Sequence, residues 1–349
     1  MTQVRIDWLE LHQFRNCEQR KLEFTSREVV LCGQNGVGKS NILEAIHFLS
    51  ILRSFRTASV RDLVRIGAKG FRITGRIRKQ DYPETLEVEQ WHGNRRHLRI
   101  DGVSVPKSSE FIREFRAVAF TPEDREITAG GSSYRRRFFD MYLSVTAPDY
   151  LTALQRYGAA LARRNAVLRN PAANLAIAAA FEQELAESAA VLLPARRQCA
   201  ETICTKVNEL LGTPRLRTVY RSDSPDTVSD YLARLSNDRE RERKRGCTGF
   251  GPQTDDFIFY LDGKPLREFG SNGQLRLTAL YLKMAAFALL RHNGAPVVAL
   301  VDDVTGELDE QARNCFFDLL KSADQAFYTF TAAPGPGDPL HQAQVISLP

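Results

Sequence analysis

One octapeptide near the N-terminus constrains this chain more than any other feature. Residues 33–40 read Gly-Gln-Asn-Gly-Val-Gly-Lys-Ser and fit the phosphate-binding template G-x-x-x-x-G-K-[ST] at every fixed position. An apolar run, residues 29–31, precedes the octapeptide, and residues 41–49 form a run typical of a buried helix. A strand, a glycine loop and a helix in this order predict a nucleoside triphosphate site, because backbone N–H groups and a helix N-terminus converge on one polyanion.

The octapeptide also supplies the expected ligands of the nucleotide. We expect all eight residues to contact ATP: Gly33, Gln34, Asn35, Gly36, Val37, Gly38, Lys39 and Ser40. Lys39 is expected to bind the β- and γ-phosphates and to act in catalysis, and the Ser40 hydroxyl to hold Mg²⁺.

A second apolar run supplies the acidic partner that such a site needs. Residues 296–303 read Pro-Val-Val-Ala-Leu-Val-Asp-Asp, which predicts a central parallel strand buried on both faces. Asp302 then lies at the carboxyl end of the strand, where ligands of open α/β sheets bind, and is the predicted partner of Mg²⁺. Asp303 is predicted to orient or deprotonate the attacking water. The alternative, that Asp303 is only a neighbouring charge, stays open.

A second glycine motif precedes that strand. Residues 270–274 read Gly-Ser-Asn-Gly-Gln and open a predicted helix that Ser271 caps and that ends at Asn293-Gly294. One phosphate cradle per chain already exists, so Ser271, Gly273 and Gln274 are predicted to bind the γ-phosphate held by a second copy. ATP would then favour a dimer and hydrolysis would release it. An ordinary helix cap without a ligand is the alternative.

Composition bounds the class of protein. The chain has 349 residues, 43% of them hydrophobic, enough to bury real cores. The sequence shows neither a membrane span nor a signal peptide, so a cytoplasmic location without a membrane partner is expected. The six cysteines form no C-x-x-C pair, which gives no signal for a zinc site or a disulfide framework.

Basic residues are unevenly distributed. The net charge is +6, and the whole excess lies within residues 1–116. Residues 71–78 alternate apolar and polar, so a strand there would place Arg72, Thr74, Arg76 and Arg78 on one face. This face is either a DNA-binding surface or an ordinary solvated one.

Together these motifs resemble the RecF family of bacterial DNA repair and recombination-mediator proteins, which are related to the SMC ATPase heads. The resemblance covers nearly the whole chain and includes five further segments: residues 11–16 (Leu-His-Gln-Phe-Arg-Asn), 52–57 (Leu-Arg-Ser-Phe-Arg-Thr), 120–124 (Phe-Thr-Pro-Glu-Asp), 135–140 (Arg-Arg-Arg-Phe-Phe-Asp) and 251–256 (Gly-Pro-Gln-Thr-Asp-Asp). It departs from the family at Gln253 and Thr254, where His and Arg are usual, and at Asn272. Residues 304–309 resemble the D-loop of ABC-type ATPases, and Thr329 and Thr331 stand where those ATPases usually have a histidine.

The resemblance implies an α/β fold: a P-loop ABC/SMC-type ATPase head with an inserted helical arm. Residues 147–212 predict the arm, as two long helices broken at Asn170-Pro171 with a kink at Pro194. The expected domains are a discontinuous head, residues 1–125 and 213–349, and an arm, residues 126–212.

The resemblance also implies an ATP-gated homodimer on duplex or gapped DNA, with weak DNA-stimulated ATP hydrolysis as a release timer. Such a dimer helps to load the strand-exchange recombinase, with a mediator such as RecR as partner. Two alternatives are weighed: a transporter ATPase subunit, which lacks support because the histidine is missing and the helical insertion is long, and the ATPase component of a defence or nuclease system or another SMC-like ATPase.

Five arginines are the predicted contacts to DNA phosphates, without base specificity. They are the pair Arg53 and Arg56 and the strand residues Arg72, Arg76 and Arg78. For the run at 135–137 a structural role within the protein is favoured over DNA binding.

Overall fold

A computed structural model of the chain describes residues 3–57, 59–80, 82–91, 96–112, 114–292, 294–304 and 308–349. The chain divides into two compact units. Unit 1 comprises Met1–Asp124 and Lys283–Pro349, and unit 2 comprises Arg125–Leu282. Unit 2 begins one residue before the predicted arm but continues well beyond residue 212, so it includes a segment that the sequence assigned to the head.

Unit 1 contains two sheets. The first is six-stranded, in the order β2-β1-β4-β5-β6-β7, and its paired strands are antiparallel. Its strands are β1 (Val4–Phe14), β2 (Cys17–Glu23), β4 (Gly70–Lys79), β5 (Tyr82–Trp91), β6 (His97–Ile100) and β7 (Val103–Ser104). In β4, Phe71, Ile73 and Ile77 are buried while the intervening polar residues are more exposed, which confirms the predicted alternation.

The second sheet is five-stranded and parallel, in the order β14-β3-β13-β12-β8. Its strands are β3 (Glu28–Cys32), β8 (Arg116–Phe120), β12 (Val297–Asp302), β13 (Gln325–Phe330) and β14 (Gln344–Ser347). Every residue of β12 is buried, as its unbroken apolar sequence predicts. The carboxyl ends of β3, β12 and β13 meet at one edge of the sheet.

The helices of unit 1 position the glycine loop. Helix α1 (Lys39–Ile51) contacts strands of both sheets, which explains why nine consecutive residues, 42–50, are buried. The other helical elements are α2 (Ser108–Phe111), α10 (Glu310–Leu320), the 3₁₀ turns Val60–Leu63 and Pro122–Arg125, and the second half of α9 (Asn272–His292). On α10 the Phe316 ring packs edge-on against Phe120 of β8.

Unit 2 is mainly helical, as the sequence of residues 147–212 predicts. Its helices are α3 (Glu126–Ala129), α4 (Ser132–Thr146), α5 (Tyr150–Arg169), α6 (Ala176–Leu211), α7 (Val228–Arg245), α8 (Leu266–Phe269) and the first half of α9. Helices α5 and α6 pack against each other, and α6 runs on through Pro194. A three-stranded antiparallel sheet, β11-β10-β9, completes the unit with β9 (Leu216–Arg221), β10 (Asp256–Leu261) and β11 (Lys264–Pro265). Strand β9 packs on α6, which attaches residues beyond 212 to this unit.

Candidate nucleotide-binding site

Ser40 and Asp302 lie 262 positions apart in sequence and in direct contact in space. The Ser40 hydroxyl donates a hydrogen bond to Asp302 Oδ1 at 2.8 Å. Ser40 is in the first turn of α1, immediately after the glycine loop, and Asp302 ends β12. The structure therefore brings together the two residues that the sequence assigned to one magnesium ion. A hydroxyl and a carboxylate are hard oxygen donors, and these residues fit Mg²⁺.

The glycine loop is held by contacts that a larger residue would disturb. Gly38 has a φ of 101°, and a β-carbon there would lie 2.9 Å from Asn16 Oδ1. The Asn16 amide in turn donates to the Gly36 carbonyl at 3.2 Å. The Lys39 ammonium donates to the carbonyls of Gly33 at 2.5 Å and Gln34 at 2.8 Å, so it lies over the loop.

Thr329 joins the two aspartates at the carboxyl end of β12, Asp302 and Asp303. Its hydroxyl donates to Asp302 Oδ1 at 2.8 Å and accepts the Asp303 backbone N–H at 3.1 Å. Asp303 itself is exposed and has a φ of 51°, a left-handed conformation that is uncommon for a residue other than glycine. In the sequence, Thr329 was singled out only because it stands where ABC-type ATPases usually have a histidine. Its contacts with the two aspartates were not predicted.

Two further charged groups act on Asp302. Burial raises the pKa of the Asp302 carboxyl, while the bonds from Ser40 and Thr329 lower this pKa. The Glu123 carboxylate raises the pKa further and the Arg56 guanidinium lowers it, and these two side chains lie 4.0 Å apart. Glu123 was not predicted as a site residue. The available signal was its position three residues after β8, the strand beside β12.

Arg56 is hydrogen-bonded to the start of α1. Its guanidinium donates to Asn41 Oδ1 at 2.9 Å, and the Asn41 amide donates to Asn16 Oδ1 at 2.8 Å. Arg56 was predicted as a DNA contact, yet it lies beside the phosphate loop.

The segments at 11–16 and 52–57 meet at one buried carboxylate. Arg15 forms a two-bond ion pair with Glu44 of α1, with distances of 2.8 and 2.6 Å, and the Ser54 hydroxyl donates to the same carboxylate. The Glu44 side chain is fully buried. These bonds fix the hairpin that carries Asn16 and the loop that carries Arg56 against α1.

The second glycine motif forms a capping box in unit 2. The Ser271 hydroxyl accepts the Gln274 N–H at 3.2 Å, and Gln274 Oε1 accepts the Ser271 N–H at 2.9 Å. Ser271, Asn272, Gly273 and Gln274 are all exposed. The predicted helix start is therefore confirmed. At the other end Gly294 has a φ of 73° and its N–H donates to the Arg291 carbonyl, while Asn293 lies outside the described residues.

The segment at 251–256 is a structural element of unit 2 in which Gly251, Pro252 and Asp255 are buried. Tyr157 donates to Gln253 Oε1, and the Thr254 hydroxyl donates to the Gly251 carbonyl at 2.8 Å. Asp256 receives two bonds from Arg135, at 2.6 and 3.0 Å. The Arg136 guanidinium donates to the Asp255 carbonyl at 2.6 Å, so Arg135 and Arg136 have the structural roles that the sequence favoured.

The arginine side chains of β4 have acidic neighbours on the adjacent strands β1 and β5. Arg72 lies 3.9 Å from Glu89 and Arg78 lies 2.7 Å from Asp7, so both are in ion pairs. The third arginine, Arg76, is exposed and stands opposite Thr85. The alternation was predicted correctly, but the surface is of mixed charge. Burial lowers the pKa of the Arg96 guanidinium, and the charge of the exposed Arg53 lowers it further, so these two cations are close.

Some of the sequence predictions can be compared with the structure only within the described residues. Residues 305–307 of the predicted D-loop lie outside them, whereas Asp309 caps α10 by accepting the Ala312 N–H at 2.8 Å. In the described parts of the chain no group of three or more His, Cys, Asp or Glu is arranged to hold a metal. Nor does any helix there have the length and apolarity to span a bilayer.

Comparison with known proteins covers nearly the whole chain. Residues 5–333 match the family model described as the RecF/RecN/SMC N terminal domain. A DNA replication and repair protein RecF of Leptospira interrogans is 33% identical over 339 residues, which cover 95% of this chain and 92% of the relative. A protein of the same name from Lacticaseibacillus casei is 32% identical over 364 residues, covering 99% and 96%.

Solved structures agree with this match. The recombination mediator protein RecF-ATP of the RecFOR pathway superposes with a TM-score of 0.86 at 28% identity, covering 95% of this chain and 93% of that one. An Smc head domain from Pyrococcus furiosus shares the fold, with a TM-score of 0.51 and 17% identity over 95% and 90% of the two chains. The predicted α/β ATPase-head fold is thereby confirmed.

Proposed function

Because this chain belongs to the RecF family, we propose that it is an ATP-dependent DNA-binding protein of DNA repair and replication, with ATP hydrolysis at the site described above. The observation that carries the proposal is the 2.8 Å contact between Ser40 and Asp302, which joins the phosphate loop to the acidic end of β12. The ATP complex of the similar mediator protein supports ATP as the nucleotide.

Each residue of the site has a defined task in this proposal. The N–H groups of residues 33–40 and the Lys39 ammonium bind the phosphates, and Ser40 and Asp302 hold Mg²⁺, which supplies positive charge against the phosphate oxygens when bound. Asp303 is exposed and next to Asp302, a position from which it would orient the attacking water.

The second glycine motif is proposed to bind the nucleotide of another copy. Its capping box uses the acceptor capacity of Ser271 toward the helix and leaves the Ser271 O–H and the Gln274 amide N–H groups as donors at an exposed helix N-terminus. Such a terminus, with Gly273 allowing close approach, suits a γ-phosphate. ATP binding would therefore dimerise the protein, and slow hydrolysis would release the dimer.

For DNA we propose duplex or gapped DNA, bound through backbone phosphates. Arg53, with Arg96 beside it, is the stronger candidate, because Arg72 and Arg78 are already paired with acids and Arg56 lies at the phosphate loop. Arg76 remains a candidate on the mixed face. By resemblance to the family, the bound dimer would help to load the strand-exchange recombinase with a mediator such as RecR, in the cytoplasm.

Light scattering of the purified chain, with and without ATP, Mg²⁺ and duplex DNA, tests the proposal. We expect a monomer without ATP and a dimer with it. Ser271→Val should bind ATP but stay monomeric, and Lys39→Ala should neither bind ATP nor dimerise. Thr227→Val is the matched control, because it removes the N-cap bond of α7 (3.1 Å to the Asp230 N–H) and should dimerise normally. A wild-type protein that stays monomeric under all conditions would contradict the proposal.

A further inference from the structure

Thr329 occupies a junction between the two acidic residues of the site. It lies on β13 in register with Asp302 of β12, and its side chain is buried. A threonine hydroxyl has one hydrogen to donate and lone pairs that accept. Here the hydrogen is directed to Asp302 Oδ1 at 2.8 Å and a lone pair receives the Asp303 N–H at 3.1 Å. One hydroxyl therefore contacts both aspartates.

One of the two contacts restrains a side chain, and the other restrains the backbone. At Asp302 the bond restrains the carboxylate, whose Oδ1 also accepts from Ser40 at 2.8 Å, so that atom has two donors on it. At Asp303 the bond restrains the backbone, which is in the left-handed conformation with a φ of 51°. A non-glycine residue persists in this conformation only where neighbouring groups hold it. Within this site the Thr329 oxygen is the acceptor that holds the Asp303 N–H.

From this geometry we infer that Thr329 is a positioning residue for ATP hydrolysis, setting the direction of the Asp302 carboxylate and of the chain that carries Asp303. This inference rests on the proposed ATPase function. The hydroxyl acts through the two aspartates and not on the nucleotide itself. Misplacement of a reacting group by about 1 Å lowers rates by roughly 100-fold. Loss of the hydroxyl should therefore reduce turnover much more than ATP affinity.

Three variants separate the hydroxyl from the packing of the side chain. Thr329→Val keeps the shape and removes the hydroxyl, and Thr329→Ser keeps the hydroxyl and removes a methyl group. Thr331→Val makes the same chemical change two residues along the chain, at an exposed side chain. Thermal melting checks that each variant is folded.

The first readout is steady-state phosphate release with the equilibrium Kd for ATP. We expect Thr329→Val to lower kcat by about 10- to 100-fold with the Kd within about threefold of wild type. Both Thr329→Ser and Thr331→Val should stay within about threefold in kcat. An unchanged kcat in Thr329→Val, an equal loss in Thr329→Ser, or a parallel loss of ATP binding overturns the inference.

The second readout needs no nucleotide. Hydrogen exchange of the Asp303 amide should be at least about tenfold faster in Thr329→Val than in wild type or Thr329→Ser, because its acceptor is gone. Equal exchange rates would overturn the inference even with a slow enzyme. If the wild-type protein itself hydrolyses no ATP, the proposed function fails, and the exchange measurement still decides whether Thr329 holds Asp303.

Discussion

The Lys283 ammonium lies 3.2 Å from Asp124 Oδ1 in an ion pair largely shielded from solvent. Their side chains are only 9% and 16% exposed. The second oxygen of Asp124 accepts the Thr121 N–H at 2.8 Å, at the end of β8. Burial raises the pKa of the Asp124 carboxyl, and the Lys283 charge opposes that rise. The pair thus fixes the segment that carries Glu123.

Lys283→Met should destabilise the protein by about 2 to 4 kcal/mol, because it leaves the Asp124 charge buried and uncompensated. Chemical denaturation measures the change. Lys321→Met is the control: Lys321 pairs with Asp318 at 2.7 Å on the surface, and its loss should cost less than about 0.5 kcal/mol. Adding Asp124→Asn to Lys283→Met should recover part of the loss, and a double variant no more stable than the single one would argue against this explanation.

Gln325→Leu should lower the free energy of unfolding by about 2 to 4 kcal/mol, as chemical denaturation would measure it. The fully buried Gln325 side chain accepts the Ile6 N–H at 2.7 Å and donates to the carbonyls of Ile6 at 3.3 Å and Ser26 at 3.1 Å. These hydrogen bonds lie beside the point where the register of β1 and β4 shifts, between Ile6 and Trp8. Leucine would leave these backbone groups without partners.

The matched comparison for that prediction is Gln344→Leu. Gln344 also bonds two backbone groups, the Thr25 N–H at 2.8 Å and the Glu23 carbonyl at 2.9 Å, but in an exposed setting where water replaces them. Its loss should cost less than about 1 kcal/mol. Equal costs at the two positions would mean that burial of the backbone groups is not the deciding factor.

Two glycine substitutions should change stability in opposite directions. Gly251 has a φ of 122°, and a β-carbon there would lie 2.2 Å from the Tyr157 hydroxyl and 2.5 Å from that of Tyr231, so Gly251→Ala should cost about 3 kcal/mol. Gly158 lies on the exposed side of α5 with open space around it, and Gly158→Ala should add about 0.5 to 1 kcal/mol. Melting temperatures of the two variants should therefore lie on either side of the wild-type value.

Tyr142→Phe should change the response to alkali. Burial raises the pKa of the Tyr142 hydroxyl from 10.0 to about 12 in the folded chain. Between these values the unfolded chain loses this proton first, so wild-type stability falls as pH rises from 10 towards 12. The phenylalanine variant lacks this loss. Its stability relative to wild type should rise by up to about 2 kcal/mol between pH 9 and pH 12, measured by urea unfolding, and a constant difference would contradict the assignment.

Local sequence signals predicted much of the fold and part of the site. The glycine loop, α1, the buried strand β12, the alternation in β4 and the break between α5 and α6 all depend on patterns within about 40 residues, and each is present. The pairing of Ser40 with Asp302 also followed, because the carboxyl ends of parallel strands share one edge of a sheet.

Long-range side-chain contacts could not be obtained this way. The register of β4 against β5 pairs Arg72 with Glu89, and periodicity within a single strand carries no information on that register. The same holds for the bonds of Thr329 to the aspartates and for Gln325, whose partner Ile6 is 319 positions away. The packing of β9 on α6 likewise depends on tertiary contacts.

The order of strands in the parallel sheet has a consequence for biosynthesis. Strand β3 pairs with β13 and β14, and β8 pairs with β12, so the two strands made first have no neighbours in this sheet until residues 297–347 are synthesised. The glycine loop is translated among the first 40 residues, yet its acidic counterpart arrives only with Asp302. A nascent chain therefore carries two apolar strands without their sheet partners while the intervening residues are made, and the two residues proposed to hold Mg²⁺ meet only after Asp302 is synthesised.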